Sequence, residues 1–196
     1  MSIVSLRQHP LFIAGRRAFL SRSGLLLSGS AVALLAGNQA LAATMKKTGV
    51  DAQAADVKIL NGALAAEEQA IAAYQVGAES GLLQKPVLDL AVQFQGHHKA
   101  HRDLLAATIK QLGGIPVEAR QKYDFPVEKL KSQADVLRFA AGLEQGAVSA
   151  YLAAIPLFDN RDLSKAAGSI LGDEAMHWAV LRGALGENPV PAAFVG

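Results

Sequence analysis

The sequence predicts an all-α fold, a four-helix bundle made of two antiparallel helical hairpins with a long crossover between the second and third helices. Three observations carry this. Four long stretches repeat apolar residues at alternating three- and four-residue spacing, and none shows the period-two alternation of a strand. Two of the three links are short and the middle one is long, as in two hairpins laid together. The halves also match: Glu67-Glu68-Gln69-Ala70-Ile71-Ala72-Ala73-Tyr74 parallels Glu144-Gln145-Gly146-Ala147-Val148-Ser149-Ala150-Tyr151. The two glutamates are 77 residues apart, and His101 and His177 are 76 apart, so a helical-hairpin repeat accounts for both.

Residues 1–42 read as an address rather than as fold. Arg16-Arg17 precedes Ala18-Phe19-Leu20, an uncharged stretch runs from Gly24 to Gly37, and Ala40-Leu41-Ala42 is a small-x-small cleavage site. The segment resembles a twin-arginine signal, with Gly15 and Ser21 departing from the usual flanking residues. That resemblance implies export to a bacterial periplasm through the translocation machinery, folded and with cofactor already in place. The apolar run is shorter than the roughly 20 residues of a membrane span; an uncleaved anchor is the alternative.

A flexible linker is expected at 43–55 and the bundle at 56–186. The first helix runs from Asp56, a good N-cap, to Ser80-Gly81. The second opens at Pro86 and stops at Gly113-Gly114. Pro116 and Pro126 keep the crossover, Ile115 to Lys131, from being one helix. The third starts near Ser132, where Ser132 and Asp135 resemble a capping box, and ends or kinks near Pro156. The fourth opens after Asp159-Asn160 and stops at Gly186, leaving an extended tail, 187–196. That tail is too short for a cage-forming fifth helix.

Composition narrows the function. The chain has 196 residues, 51% of them hydrophobic but only 6% aromatic, which suits Ala-rich helices packed closely. The formal charge of +2 comes from the leader: without Arg7, Arg16, Arg17 and Arg22, 15 basic residues face 17 acidic ones, a net of −2. Such a domain offers no basic patch for nucleic acid or an anionic membrane. With no cysteine, disulfides, thiol catalysis, iron–sulfur clusters and Cys-type zinc sites are excluded.

The inward stripes hold residues that do not belong in an apolar seam. They read Leu60, Leu64, Glu67, Ile71, Tyr74; Phe94, His98, His101, Leu105, Thr108, Leu112; Leu137, Ala140, Glu144, Val148, Tyr151; and Ile170, Glu174, His177, Leu181. An unpaired buried carboxylate costs several kcal/mol or neutralises itself. Three at similar depth call for a shared cation, with Glu67, His98, His101, Glu144, Glu174 and His177 as its ligands. His98–His101 and Glu174–His177 are each three apart, so each pair projects from one helix face. His97 offers a rival register, four from His101, and otherwise points sideways. Glu68 and Glu79 read as exposed charges, and Tyr74 and Tyr151 as core aromatics or as groups beside the metal.

This pattern resembles the ferritin-like superfamily, and within it the rubrerythrin-like and bacterial ferritin-like-domain proteins. The family places a single Glu on two helices and Glu-x-x-His on the other two, around two metal ions. Glu67 and Glu144 match the single glutamates and Glu174-x-x-His177 one full motif. His101-Arg102-Asp103-Leu104-Leu105…Leu112-Gly113-Gly114 is similar to the family's second-helix ending. His98 then stands where the family has a bridging Glu. The resemblance implies two transition-metal ions, iron first or manganese, reacting with oxygen or peroxide; Tyr74 and Tyr151 would orient ligands or quench radicals. With His98, Glu174 bridges alone, or one zinc or copper ion is held. A non-catalytic metal-binding or stress-related bundle with a degenerate site is the alternative. The resemblance leaves room for a homodimer, and without a rubredoxin-type domain the electrons come from another protein or from the substrate metal.

Overall fold

The computed structural model describes residues 49–195, which are helical throughout their ordered core and contain no strand. The expected leader at 1–42 and the first part of the expected linker lie outside the described residues. Four helices follow in order: α1 (Gly49–Glu79), α2 (Lys85–Gln111), α3 (Gln133–Ala154) and α4 (Arg161–Ala184). Short 3-10 turns, Val127–Lys129 and Ile155–Leu157, interrupt the crossover and the α3–α4 link. α1 packs chiefly on α2 and α3 on α4, while α1–α3 and α2–α4 contacts close the bundle. No helix of the described residues is long and apolar enough to cross a membrane.

Local chemistry explains the boundaries, with one correction. α1 starts at Gly49 rather than Asp56, so the expected linker is helical over its second half. The Asp51–Ala55 stretch is Ala-rich and free of Pro, and Gln53 Nε2 fastens it to the Leu112 carbonyl at 2.7 Å. Asp56 is not a cap. It is buried and accepts the Asp159 and Asn160 backbone N–H groups at 3.0 and 3.2 Å, holding the approach to α4. Burial raises its carboxyl, and those two N–H bonds only partly oppose the rise.

α2 has Pro86 in its first turn and ends at Gly113, whose φ of +73° favours glycine. Gly114 is required for another reason: a Cβ there would sit 2.5 Å from Val57 Cγ1. The α3 cap forms as expected: Ser132 Oγ accepts the Asp135 N–H, and Asp135 Oδ2 accepts from Ser132 Oγ and the Lys131 N–H. At the start of α4, Asn160 accepts the Asp162 N–H.

Two apolar clusters fill the bundle at different heights. One contains Leu60, Leu64, Leu105, Ile109, Tyr151 and Ile170; the other contains Tyr74, Phe94, Leu137, Ala141 and Leu181. Ile109, fully buried, takes the place expected for Thr108, which is half-buried and turns its hydroxyl to the Leu104 carbonyl. Between the two clusters lies a layer of Glu and His.

Candidate metal centre

The helical periodicity brings all six expected residues together in that layer. Glu67 comes from α1, His98 and His101 from α2, Glu144 from α3, and Glu174 and His177 from α4. Five are at most 3% exposed, and the His101 side chain is 13% exposed. The three-residue spacing on α2 selects His98 for the interior, and His97 is half-buried at the side.

The donor atoms fall into two overlapping groups of four, each suited to a metal ion: Glu67, His98, His101, Glu174 and His98, Glu144, Glu174, His177. In the first, Glu67 Oε2 lies 2.9 Å from His98 Nδ1 and 3.6 Å from His101 Nδ1. Glu174 Oε1 lies 3.5 and 3.0 Å from the same two nitrogens. In the second, Glu144 Oε1 is 3.3 Å from His98 Nε2 and 3.5 Å from His177 Nδ1, and Glu174 Oε2 is 3.5 Å from His177 Nδ1. Ligands about 2.0–2.2 Å from a shared ion stand about 3.0–3.5 Å from each other, so the cluster has the dimensions of metal coordination. Glu174 turns one oxygen to each group and can serve both, whereas His98 turns Nδ1 to one and Nε2 to the other and, as a neutral imidazole, ligates one ion at a time.

The cluster is under-bonded by protein alone. Among the described residues, the buried side-chain atoms without a hydrogen-bond partner are His101 Nδ1, His177 Nδ1, Glu144 Oε2 and both Glu174 oxygens. All five belong here, several within ion-pair reach of each other yet without hydrogen-bond geometry. Buried polar atoms are normally paired, so a cation is the partner this set fits.

Without metal, the imidazoles balance the carboxylates. Burial pushes His98 down, but contacts with Glu144 and Glu67 outweigh it and raise it to about 11. His101, beside Glu174 and Glu67, and His177, beside Glu144 and Glu174, rise to about 9 against the same opposing effect of burial. Burial pushes Glu144 up, yet contacts with His177 and His98 hold it well below the usual carboxylate range.

Tyr74 of α1 donates its hydroxyl to Glu144 Oε1 of α3, and Tyr151 of α3 donates to Glu67 Oε1 of α1 at 2.6 Å. Burial and the facing carboxylate raise both phenols well above their ordinary value, so they stay protonated donors.

Asp173 joins the site from its solvent side. Asp173 Oδ2 lies 3.3 Å from both His101 Nε2 and His177 Nε2, and 3.1 Å from His97 Nδ1. One carboxylate thus meets the outer nitrogens of two rings whose inner nitrogens face the cluster, the usual way a metal-ligating His is oriented. The signal for it was short: Asp173 immediately precedes Glu174 and stands four before His177. Phe94 stacks on the His177 ring at 4.0 Å between centroids.

Comparisons agree with this architecture. No curated protein matches the sequence. A crystal structure of a conserved hypothetical protein from Mycobacterium tuberculosis is similar, with 26% identity and a TM-score of 0.63 over 73% of this chain and 99% of that one. Residues 55–187, which contain every ligand candidate, match the family described as the ferritin-like domain. With that match spanning most of the chain and the bundle built around its Glu/His layer, the protein belongs to the ferritin-like domain family.

Proposed function

We propose that this chain is an exported ferritin-like metal protein whose Glu/His layer holds a pair of transition-metal ions, iron in the first place, for reaction with oxygen or peroxide. The observation that carries the reading is the pair of overlapping four-donor groups, buried and short of protein partners. The twin-arginine-type leader supports export.

A bound ion pair would relay electrons from substrate ferrous iron or a donor protein to oxygen or peroxide. The chain's own residues set the conditions. Glu67 and Glu144 bring negative charge to opposite sides, and Glu174 spans both groups. His101 and His177 close the two ends. Tyr151 and Tyr74 hold Glu67 and Glu144 in one orientation, and the apolar clusters on either side exclude water.

His98 favours a second reading, metal sequestration without turnover. A nitrogen-rich set shifts preference toward zinc or copper. Elemental analysis of protein purified from the exported fraction tests both. Iron or manganese near two equivalents per chain supports the redox pair. Zinc or copper near one equivalent supports sequestration, and only trace metal overturns both.

A further inference from the structure

His97, Asp173 and His177 form a second donor set on the solvent side of the buried cluster. His97 Nδ1 is 2.9 Å from His177 Nε2 and 3.1 Å from Asp173 Oδ2, and His177 Nε2 is 3.3 Å from Asp173 Oδ2. Two sides of this triangle, 3.1 and 3.3 Å, have the length that neighbouring ligands of one ion adopt, about 3.0–3.5 Å for bonds near 2.1 Å, and the third, 2.9 Å, is just short of it. The three atoms therefore form one face of a coordination shell, two nitrogens and one carboxylate oxygen. Such a facial set with open positions suits a divalent first-row transition ion.

Exposure leaves those positions open. The His97 side chain is 38% exposed and that of Asp173 is 22% exposed, whereas His177 is buried. His177 belongs to both sets: its Nε2 faces the triad and its Nδ1 faces Glu144 and Glu174. A neutral imidazole offers one lone pair at a time, so an ion at the triad and an inner ion on His177 exclude each other. The two occupancies are then alternatives, and the exposed triad is the one a cation from solvent meets first.

We propose that His97, Asp173 and His177 form a capture site that holds a divalent transition-metal cation before it passes to the buried cluster. The triad stands on its own geometry; its role in delivery rests on the reading of the inner layer as a metal centre.

Zinc alone serves as the probe. In the full chain carrying Glu144→Gln and Glu174→Gln, which touch only the inner nitrogen of His177, equilibrium dialysis should find one zinc per chain. Anomalous diffraction should place it among His97, Asp173 and His177, and adding His97→Ala should abolish it. In the otherwise unaltered chain, where folding is not in question, His97→Ala should slow zinc uptake from a chromophoric chelator several-fold. Its final stoichiometry should not change. An empty triad in the Gln variant, or His97→Ala uptake at the unaltered rate, overturns the capture site alone. An unaltered protein that takes no metal into its buried layer overturns the proposed function and the delivery role, while zinc in the Gln variant still decides whether the triad is a site.

Discussion

Tyr151 reaches across the bundle to donate a 2.6 Å hydrogen bond to Glu67, and Tyr74 returns the same contact from α1 to Glu144 on α3. The exchange is the internal repeat made physical. Each hairpin supplies a carboxylate and, about two turns further along the same helix face, the hydroxyl that orients the other hairpin's carboxylate. The polar layer therefore ties the two hairpins together as well as lining a site.

Tyr151→Phe removes one hydroxyl and leaves Glu67 Oε1 without its donor. Loss of a hydrogen bond to a buried charged group costs about 1–3 kcal/mol. Tyr74→Phe should cost a similar amount because it plays the mirror role. Urea unfolding of metal-free protein measures both, and a change below about 0.5 kcal/mol would show that the hydroxyls are idle.

His98→Glu introduces the carboxylate expected of the family and removes the imidazole that separates three glutamates. Metal-free protein should lose about 3–5 kcal/mol, the cost of an uncompensated buried charge. Added ferrous iron or manganese should restore the loss, because the variant regains an all-oxygen bridge between the two donor groups. Thermal unfolding with and without metal separates the effects. Equal metal-induced stabilisation of wild type and variant would mean that position 98 does not face the ion.

Asp56→Ala tests the one boundary where local signals mislead. Removing its carboxylate strands the Asp159 and Asn160 N–H groups at the approach to α4, which should cost about 1–3 kcal/mol. A true N-cap role would instead loosen α1, so hydrogen exchange should report opening at 159–164 rather than at 56–60.

The fold is legible because its signals are periodic. Stripes at 3.6 spacing, glycine stops and prolines mark four helices, and the 77-residue repeat pairs them. The six inner residues are legible for the same reason: a charge in register with Leu and Ile must enter the core. Outward-facing chemistry has no such register. His97 reads only as a rival register or a sideways group, and Asp173 carries no signal of its own, until the bundle brings them together, 76 residues apart in sequence. Asp56 has the look of a cap because its real partners lie 103 and 104 residues away. Side-chain oxygens that serve distant backbone groups leave no local pattern to read.

The raised histidines set a pH signature with a definite sign. His101 and His177 stand at about 9 in the folded, metal-free protein and at 6.5 when unfolded, so the folded state holds protons that the unfolded chain releases. Stability rises with pH only where the unfolded state binds more protons. Here the opposite holds: the contribution is fully present below about 6.5 and is lost as pH climbs through about 9. His98, at about 11, extends the decline further. Ligation reverses the dependence, because an imidazole must shed its proton to bind a metal. Metal-free protein should therefore lose thermal stability from pH 6.5 to 9, and the gain from added metal should widen over the same window. Loading at pH 7 should release protons, measurable as a buffer-dependent heat in calorimetry. A Tm of the metal-free protein that is flat or rising across that window would mean that the folded cluster holds no more protons than the unfolded chain, its three rings neutral and its carboxylates ionised.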